Sequence, residues 1–101
     1  MNRATRLEIT DNAQAHIIAA STWWSAHRPA APDAIVDELD RIFDLLLSEP
    51  AMGTPAKNAE LADVRRITVS RIRYFVYYRH VNDAIQILAV WHTSRGQSPD
   101  L

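Results

Sequence analysis

The apolar positions in the N-terminal half of the chain first alternate and then recur at helical spacing. Residues 5–9 alternate as a short strand does, and residues 13–27 and 35–47 each place their apolar side chains on one helix face. The second of these faces consists of Ile35, Leu39, Ile42, Phe43, Leu46 and Leu47. Because only the proline-bearing segment 28–32 separates the two, we expect an antiparallel helix hairpin.

The period changes from helical to alternating after residue 63. Val64–Val69, Ile72–His80 and Ile85–His92 are rich in Val, Ile, Tyr and Phe, and short connections between them predict an antiparallel meander. Residues 51–63 contain Gly53 and Pro55 and are expected to form a loop. The pattern therefore predicts an α+β fold in two layers, with the order β-α-α-β-β-β. The helix hairpin packs on one face of an antiparallel sheet, and the first strand joins its edge.

The middle predicted strand has apolar side chains on both faces. Ile72, Tyr74, Val76 and Tyr78 share one face, while Arg73, Phe75, Tyr77 and Arg79 share the other. A two-layer protein needs only one apolar sheet face, and Tyr and Arg are frequent in binding hot spots. The second face is therefore either a binding surface or a surface that the C-terminal tail, residues 93–101, covers. We expect a binding surface, because nine mostly polar residues cover little area.

Length, composition and charge limit the class of protein and the kind of partner that the sequence predicts. A chain of 101 residues with 48% hydrophobic and 23% charged residues is expected to be one globular domain, spanning residues 1–101. Residues 1–50 carry four Arg and eight acids (−4), whereas residues 51–101 carry seven cationic residues and four acids (+3). Five arginines and no acid lie between Val64 and Arg79, which favours an acidic protein or a polyanion as partner.

Several chemistries lack the residues they need. The chain has no cysteine, which excludes disulfides and thiolate metal sites and suits a cytoplasmic location. No apolar run is long enough to span a bilayer, so we expect no membrane association. His16, His27, His80 and His92 show no metal-ligand spacing, and two isolated glycines make no phosphate loop. We therefore expect no metal and no cofactor. His92 is either a general acid or a hydrogen-bonded structural histidine.

The order of the predicted elements, together with local motifs along nearly the whole chain, resembles the RelE/ParE superfamily of toxins from type II toxin–antitoxin systems. The motifs are Trp24 with Pro29-Ala30-Ala31-Pro32, Ile42–Leu47 with Ser48-Glu49-Pro50-Ala51-Met52-Gly53, Val64-Arg65-Arg66-Ile67, Arg73-Tyr74-Phe75-Val76-Tyr77-Tyr78-Arg79, and Ile87-Leu88-Ala89-Val90-Trp91-His92-Thr93-Ser94-Arg95.

Within that superfamily, RelE-like members cut messenger RNA on the ribosome with cationic and tyrosine side chains. This chain departs from that set, because its loop offers only Lys57 and no tyrosine follows Tyr78. If it were such a nuclease, the resemblance would leave Arg73, Arg79, His92 and Arg95, with His92 and Arg95 as the catalytic candidates.

The ParE-like branch is the closer resemblance, because Val90-Trp91-His92 followed by Arg95 is similar to its Val-x-His-x-x-Arg ending. It implies a plasmid-stabilisation type of toxin that binds and inhibits DNA gyrase without catalysis and forms a hetero-oligomer with a neutralising antitoxin. We expect the antitoxin to lie along the second sheet face. The expected antitoxin- or target-binding residues are Arg65, Arg66, Arg73, Phe75, Tyr77 and Arg79.

Overall fold

The computed structural model describes residues 4–57 and 60–101. Two helices and five strands follow one another along the chain. They are β1 (Arg6–Ile9), α1 (Asp11–His27), α2 (Ala34–Ser48), β2 (Thr54–Pro55), β3 (Arg65–Val69), β4 (Tyr74–Val81) and β5 (Ala84–His92). The predicted helix hairpin and the four predicted strands are confirmed. In the predicted loop, Asn58 and Ala59 lie outside the described residues.

All five strands belong to one sheet, in the order β1-β5-β4-β3-β2. The meander β3-β4-β5 is antiparallel and β1 lies at the edge, as predicted. The sheet as a whole is mixed, because β1 runs parallel to β5, from Arg6 opposite Ala84 to Ile9 opposite Ile87. The opposite edge is formed by β2, in a segment whose Gly53 and Pro55 predict a loop. A two-residue strand containing proline has no alternation from which it could be recognised.

Helix α2 is held to the sheet by its apolar face and ends before a proline. Ile35, Leu39, Ile42, Phe43 and Leu46 are buried, as its pattern predicts. Glu49 follows the last helical residue, and Pro50 then disfavours a helical conformation at that position.

Glu38 is the buried charge on α2. Its carboxylate accepts a hydrogen bond from Arg41 and also lies 3.9 Å from the Arg71 guanidinium in the turn after β3. The Arg41 hydrogen bond, opposed in part by burial, lowers the pKa of Glu38.

Helix α1 is capped well but packs through small side chains. The Thr10 hydroxyl accepts a hydrogen bond from the Ala13 N–H and donates one to the Ile87 carbonyl, which ties the start of the helix to β5. Only Ala13 and Ala20 are fully buried on α1. Trp23, by contrast, is 44% exposed, so the outer side of this helix keeps apolar surface in contact with solvent.

Strand β4 begins at Tyr74, two residues later than predicted. Ile72 and Arg73 lie in the turn between β3 and β4, where Arg73 has a φ of 60°. The next hairpin turns at Asn82 and Asp83, both also at positive φ, which matches the right-handed twist of the flanking strands. Arg73 therefore does not continue the side-chain alternation of β4, contrary to the sequence prediction.

Both faces of the sheet are apolar, and each has its own core. Tyr74, Val76 and Tyr78 pack towards the helices, while Tyr77 and Leu88 form a second core on the opposite face. A β-bulge allows this, because Tyr77 pairs with Ala89 and the next residue, Tyr78, pairs with Ile87. The extra residue on β5 places both Leu88 and Ala89 in the second core.

Tyr78 connects the sheet to the segment that follows α2. Its hydroxyl donates to the Pro50 carbonyl and accepts from the Gly53 N–H, each at 2.8 Å, and the side chain is fully buried. A Cβ on Gly53 would lie 2.8 Å from that oxygen and 2.9 Å from the Arg66 carbonyl. Glycine is therefore required here because of close approach.

Tyr78→Phe removes the hydroxyl and leaves a buried donor and a buried acceptor without their partner. We expect it to lower the free energy of unfolding by about 1–3 kcal/mol in urea titration. Tyr74→Phe is the matched control, because no hydrogen bond of the Tyr74 hydroxyl occurs in the described residues, and it should change stability by less than about 0.5 kcal/mol. Equal stability of the two variants would contradict the role given to the Tyr78 bridge.

Candidate functional site

The second sheet face is largely covered by the chain itself. Tyr77 is only 5% exposed, and Phe75, Trp91 and Leu101 pack around its cluster. The tail is held down by two hydrogen bonds of 2.8 Å, from the Trp91 indole N–H to the Gln97 carbonyl and from the Glu60 N–H to the Leu101 carbonyl. The expectation that this face is bare is therefore wrong for Tyr77, since a few well-placed tail residues suffice to cover it.

The predicted arginines do not all border this face, since Arg65 pairs with Tyr78 on the helix side of the sheet whereas Arg66 pairs with Tyr77. Three of the four have partners other than carboxylates. Arg65 donates to the Gly53 carbonyl at 2.7 Å, Arg79 donates to the Gln86 side-chain oxygen at 2.8 Å, and the Arg66 guanidinium lies 4.2 Å from the centre of the Phe75 ring. Arg73 is exposed in its turn. Within residues 4–57 and 60–101, none of these four arginines forms a salt bridge. Their positive charge therefore remains available to an anionic partner.

A shallow pocket of about 280 Å³ lies between the tail and the strands. Lys57, Arg66 and Tyr77 line one side, and Pro99 and Leu101 line the other. The covering tail thus leaves two cations accessible at the margin of the second face.

A larger open cavity of about 450 Å³ lies on the helix side of the sheet, between α1 and the end of β5. His92 and Tyr74 are opposite each other on neighbouring strands, with ring centres 5.0 Å apart. His16 and Trp23 of α1, together with Arg95, complete the polar and aromatic lining. Arg95 itself lies 3.9 Å from the centre of the Trp91 ring. The sequence-predicted pair His92 and Arg95 is therefore brought together.

The sequence alone does not indicate that His16 belongs to this cavity. His16 is 76 residues from His92 in the chain, and nothing in its helical spacing shows that α1 crosses the end of β5. The only local signal is its position at the border of the apolar stripe, four residues before the buried Ala20.

Hydrogen bonds to the backbone determine the tautomer of both imidazoles. Nδ1 of His16 accepts the Val90 N–H at 3.2 Å, and Nδ1 of His92 accepts the Ser94 N–H at 3.1 Å. A neutral ring whose Nδ1 accepts carries its proton on Nε2. Both rings therefore offer a donor and no free lone pair to the cavity. An acid–base pair needs one ring with an available lone pair, and this arrangement provides none.

The pKa values in the cavity shift for two physical reasons. Burial, with a smaller contribution from the nearby Arg95 charge, lowers the pKa of His16 below its usual 6.5. Burial raises the pKa of the Tyr74 phenol, and Arg95 opposes that rise in part. The phenol therefore stays protonated and is a third donor beside the two imidazoles.

The described residues contain no group of three His, Asp or Glu side chains that could hold a metal ion. In the same parts of the chain, neither helix is long and apolar enough to cross a membrane.

The fold and the site define a small two-layer α+β protein with an arginine-rich strand side and a donor-lined cavity. The family model described as "ParE toxin of type II toxin-antitoxin system, parDE" matches residues 7–96, so the chain belongs to the ParE toxin family. A solved structure titled "Chromosomal ParDE TA system from P. aeruginosa" superposes with a TM-score of 0.73 at 21% sequence identity. The superposition covers 90% of this chain and 98% of that one. No curated protein matches the chain.

The lowered pKa of His16 predicts acid sensitivity of the fold. The folded state disfavours protonation of this ring, so its contribution to stability is complete above pH 6.5 and is lost as the pH falls through the lowered pKa. We expect the melting temperature to fall below pH 6.5 and His16→Asn to flatten that fall. Gln14→Asn, an exposed substitution on the same helix that removes no ionisable group, should leave the fall unchanged. Below pH 4.5 the fold should lose further stability, because the pKa of Glu38 is lowered as well and its carboxylate becomes protonated as the pH falls through that value.

Proposed function

We propose that this protein is the toxin of a type II toxin–antitoxin module, that it inhibits DNA gyrase by binding it, and that a cognate antitoxin neutralises it in the cytoplasm. Membership of the ParE family carries this proposal, because the family model spans residues 7–96. The P. aeruginosa structure of similar fold is itself titled as a ParDE toxin–antitoxin system.

The arrangement of donors in the cavity supports action by binding. His16 and His92 both use Nδ1 to accept a backbone N–H, so neither has a lone pair with which to take a proton from a ribose hydroxyl. We therefore propose a stoichiometric role for the protein.

We propose that the target or the antitoxin contacts the arginine-rich side of the sheet, which we define as the surface around Arg66, Arg73 and Arg79. Arg66, Arg73 and Arg79 supply positive charge that no carboxylate of the described chain neutralises. Arg65 is anchored to the Gly53 carbonyl and contributes mainly through its field. Tyr77 contributes only at the margin of the tail, because it is buried and lines the pocket beside Pro99 and Leu101. Phe75 is half-buried against the same cluster and lies beneath the Arg66 guanidinium.

We expect the purified protein to inhibit gyrase-catalysed supercoiling of relaxed plasmid at micromolar concentration. Arg66→Glu combined with Arg73→Glu should weaken this inhibition by at least about tenfold, because two charges are reversed on the proposed surface. The control is Arg6→Glu, on the opposite edge of the sheet, which should act as the wild type does. Unaffected gyrase activity at micromolar protein would contradict gyrase as the target.

A ribosome-dependent mRNA endonuclease is the second candidate, because His92, Arg95, Tyr74 and His16 line one cavity. Cleaved messenger RNA in a ribosome-containing extract, lost on His92→Ala, would establish it in place of gyrase inhibition. Intact messenger RNA with inhibited gyrase would exclude it.

A further inference from the structure

The cavity between α1 and β5 has the chemical character of an anion receptor. His16 and His92 present Nε2–H donors, Tyr74 presents a phenol O–H, and Arg95 supplies a permanent positive charge. No carboxylate is among the described residues that line it. Four donors around one open space, without an acceptor of comparable strength, favour a carboxylate or phosphate oxygen as their partner.

The rim of the cavity on the helix side is uncharged. Ala15, Ala19 and Trp23 are spaced four residues apart and are all exposed, and the last two also line the cavity. Trp23 keeps 44% of its surface in solvent although its ring stacks on His27 at 4.4 Å. Between Asp11 and His27, α1 carries no Lys, Arg, Asp or Glu. An apolar ridge therefore lies directly beside the donor-lined cavity.

This combination fits a peptide better than a nucleic acid. A nucleic-acid backbone needs several cations along its path, whereas Arg95 is the one permanent cation among the described residues of this lining. The neighbouring helix α2 exposes Asp37, Asp40 and Asp44, which repel a long polyanion. A short amphipathic segment needs only one carboxylate for the cavity and apolar side chains for the ridge.

We propose that the cavity lined by His16, Tyr74, His92 and Arg95 receives an Asp or Glu side chain of the cognate antitoxin, whose apolar neighbours pack on Ala15, Ala19 and Trp23. This inference rests on the proposed toxin–antitoxin function. It moves the main antitoxin contact from the second sheet face, which the C-terminal tail covers, to the helix side of the sheet.

The test measures the affinity of the full chain for the antitoxin encoded in the adjacent reading frame, by calorimetry with purified proteins. Arg95→Glu reverses the permanent charge of the cavity, and Ala19→Glu adds a carboxylate at its rim on an exposed helix position. We expect each to weaken binding by at least about tenfold. Gln14→Glu adds the same charge to the far side of α1 and should change the affinity by less than about twofold. Melting temperatures confirm that the variants fold.

A charge exchange separates a direct contact from a general electrostatic effect. Each Asp or Glu of the antitoxin is changed in turn to Lys, and one such variant should restore tight binding to the Arg95→Glu protein while binding the wild type poorly. Restoration by every substitution alike would overturn the proposal, because it would show a long-range effect of net charge.

Three other results would overturn the proposal. Wild-type affinity of Arg95→Glu and Ala19→Glu, with loss of binding only on combined Arg73→Glu and Arg79→Glu, would place the antitoxin on the arginine side. Loss of binding to a single-stranded RNA or DNA oligonucleotide in Arg95→Glu, with antitoxin binding intact, would make the cavity a nucleic-acid site. No binding of the antitoxin to the wild-type chain would contradict the proposed function as well, and the supercoiling assay tests that separately.

Discussion

The two hydrogen bonds of the buried Tyr78 hydroxyl fix the segment after α2 on the sheet and, through it, the position of Arg65. The hydroxyl joins the Pro50 carbonyl and the Gly53 N–H to the centre of β4, so the segment leaving α2 is fixed against the sheet. Gly53 in turn accepts the Arg65 guanidinium through its carbonyl. One buried phenol thus positions a loop, and the loop positions a cation. The polar atoms involved have few alternatives, because burial makes an unpaired group costly.

The sheet has apolar residues on both faces, but the two faces are used differently. The two helices cover one face. Trp91 and a few residues of the tail, among them Leu101, cover much of the other. The β-bulge at Leu88 makes this possible by directing two successive β5 side chains to the second core. Cations that border the second core stay at the surface, where guanidinium groups interact with aromatic rings and amides.

Backbone hydrogen bonds, more than residue identity, decide the chemistry of the helix-side cavity. A histidine pair beside an arginine would suit phosphodiester cleavage if one ring had a free lone pair. Here the Val90 and Ser94 N–H groups occupy both Nδ1 atoms, so the same residues become donors. The cavity is thereby suited to holding a negative charge, which supports the proposed action by binding.

Apart from β2, the order of the elements, the helix hairpin and the meander follow from the sequence alone, because the periods of apolar residues and the prolines are local signals. The pairing of His92 with Arg95 is local too. The turn at Arg73 is closed locally as well, by the Arg73 N–H on the Val69 carbonyl, but the alternation of residues 72–80 does not reveal its positive φ. Tertiary structure alone decided that β1 runs parallel to β5, that the tail covers Tyr77, and that His16 joins His92. Each of these depends on contacts between residues distant in the chain, whose geometry no local pattern encodes.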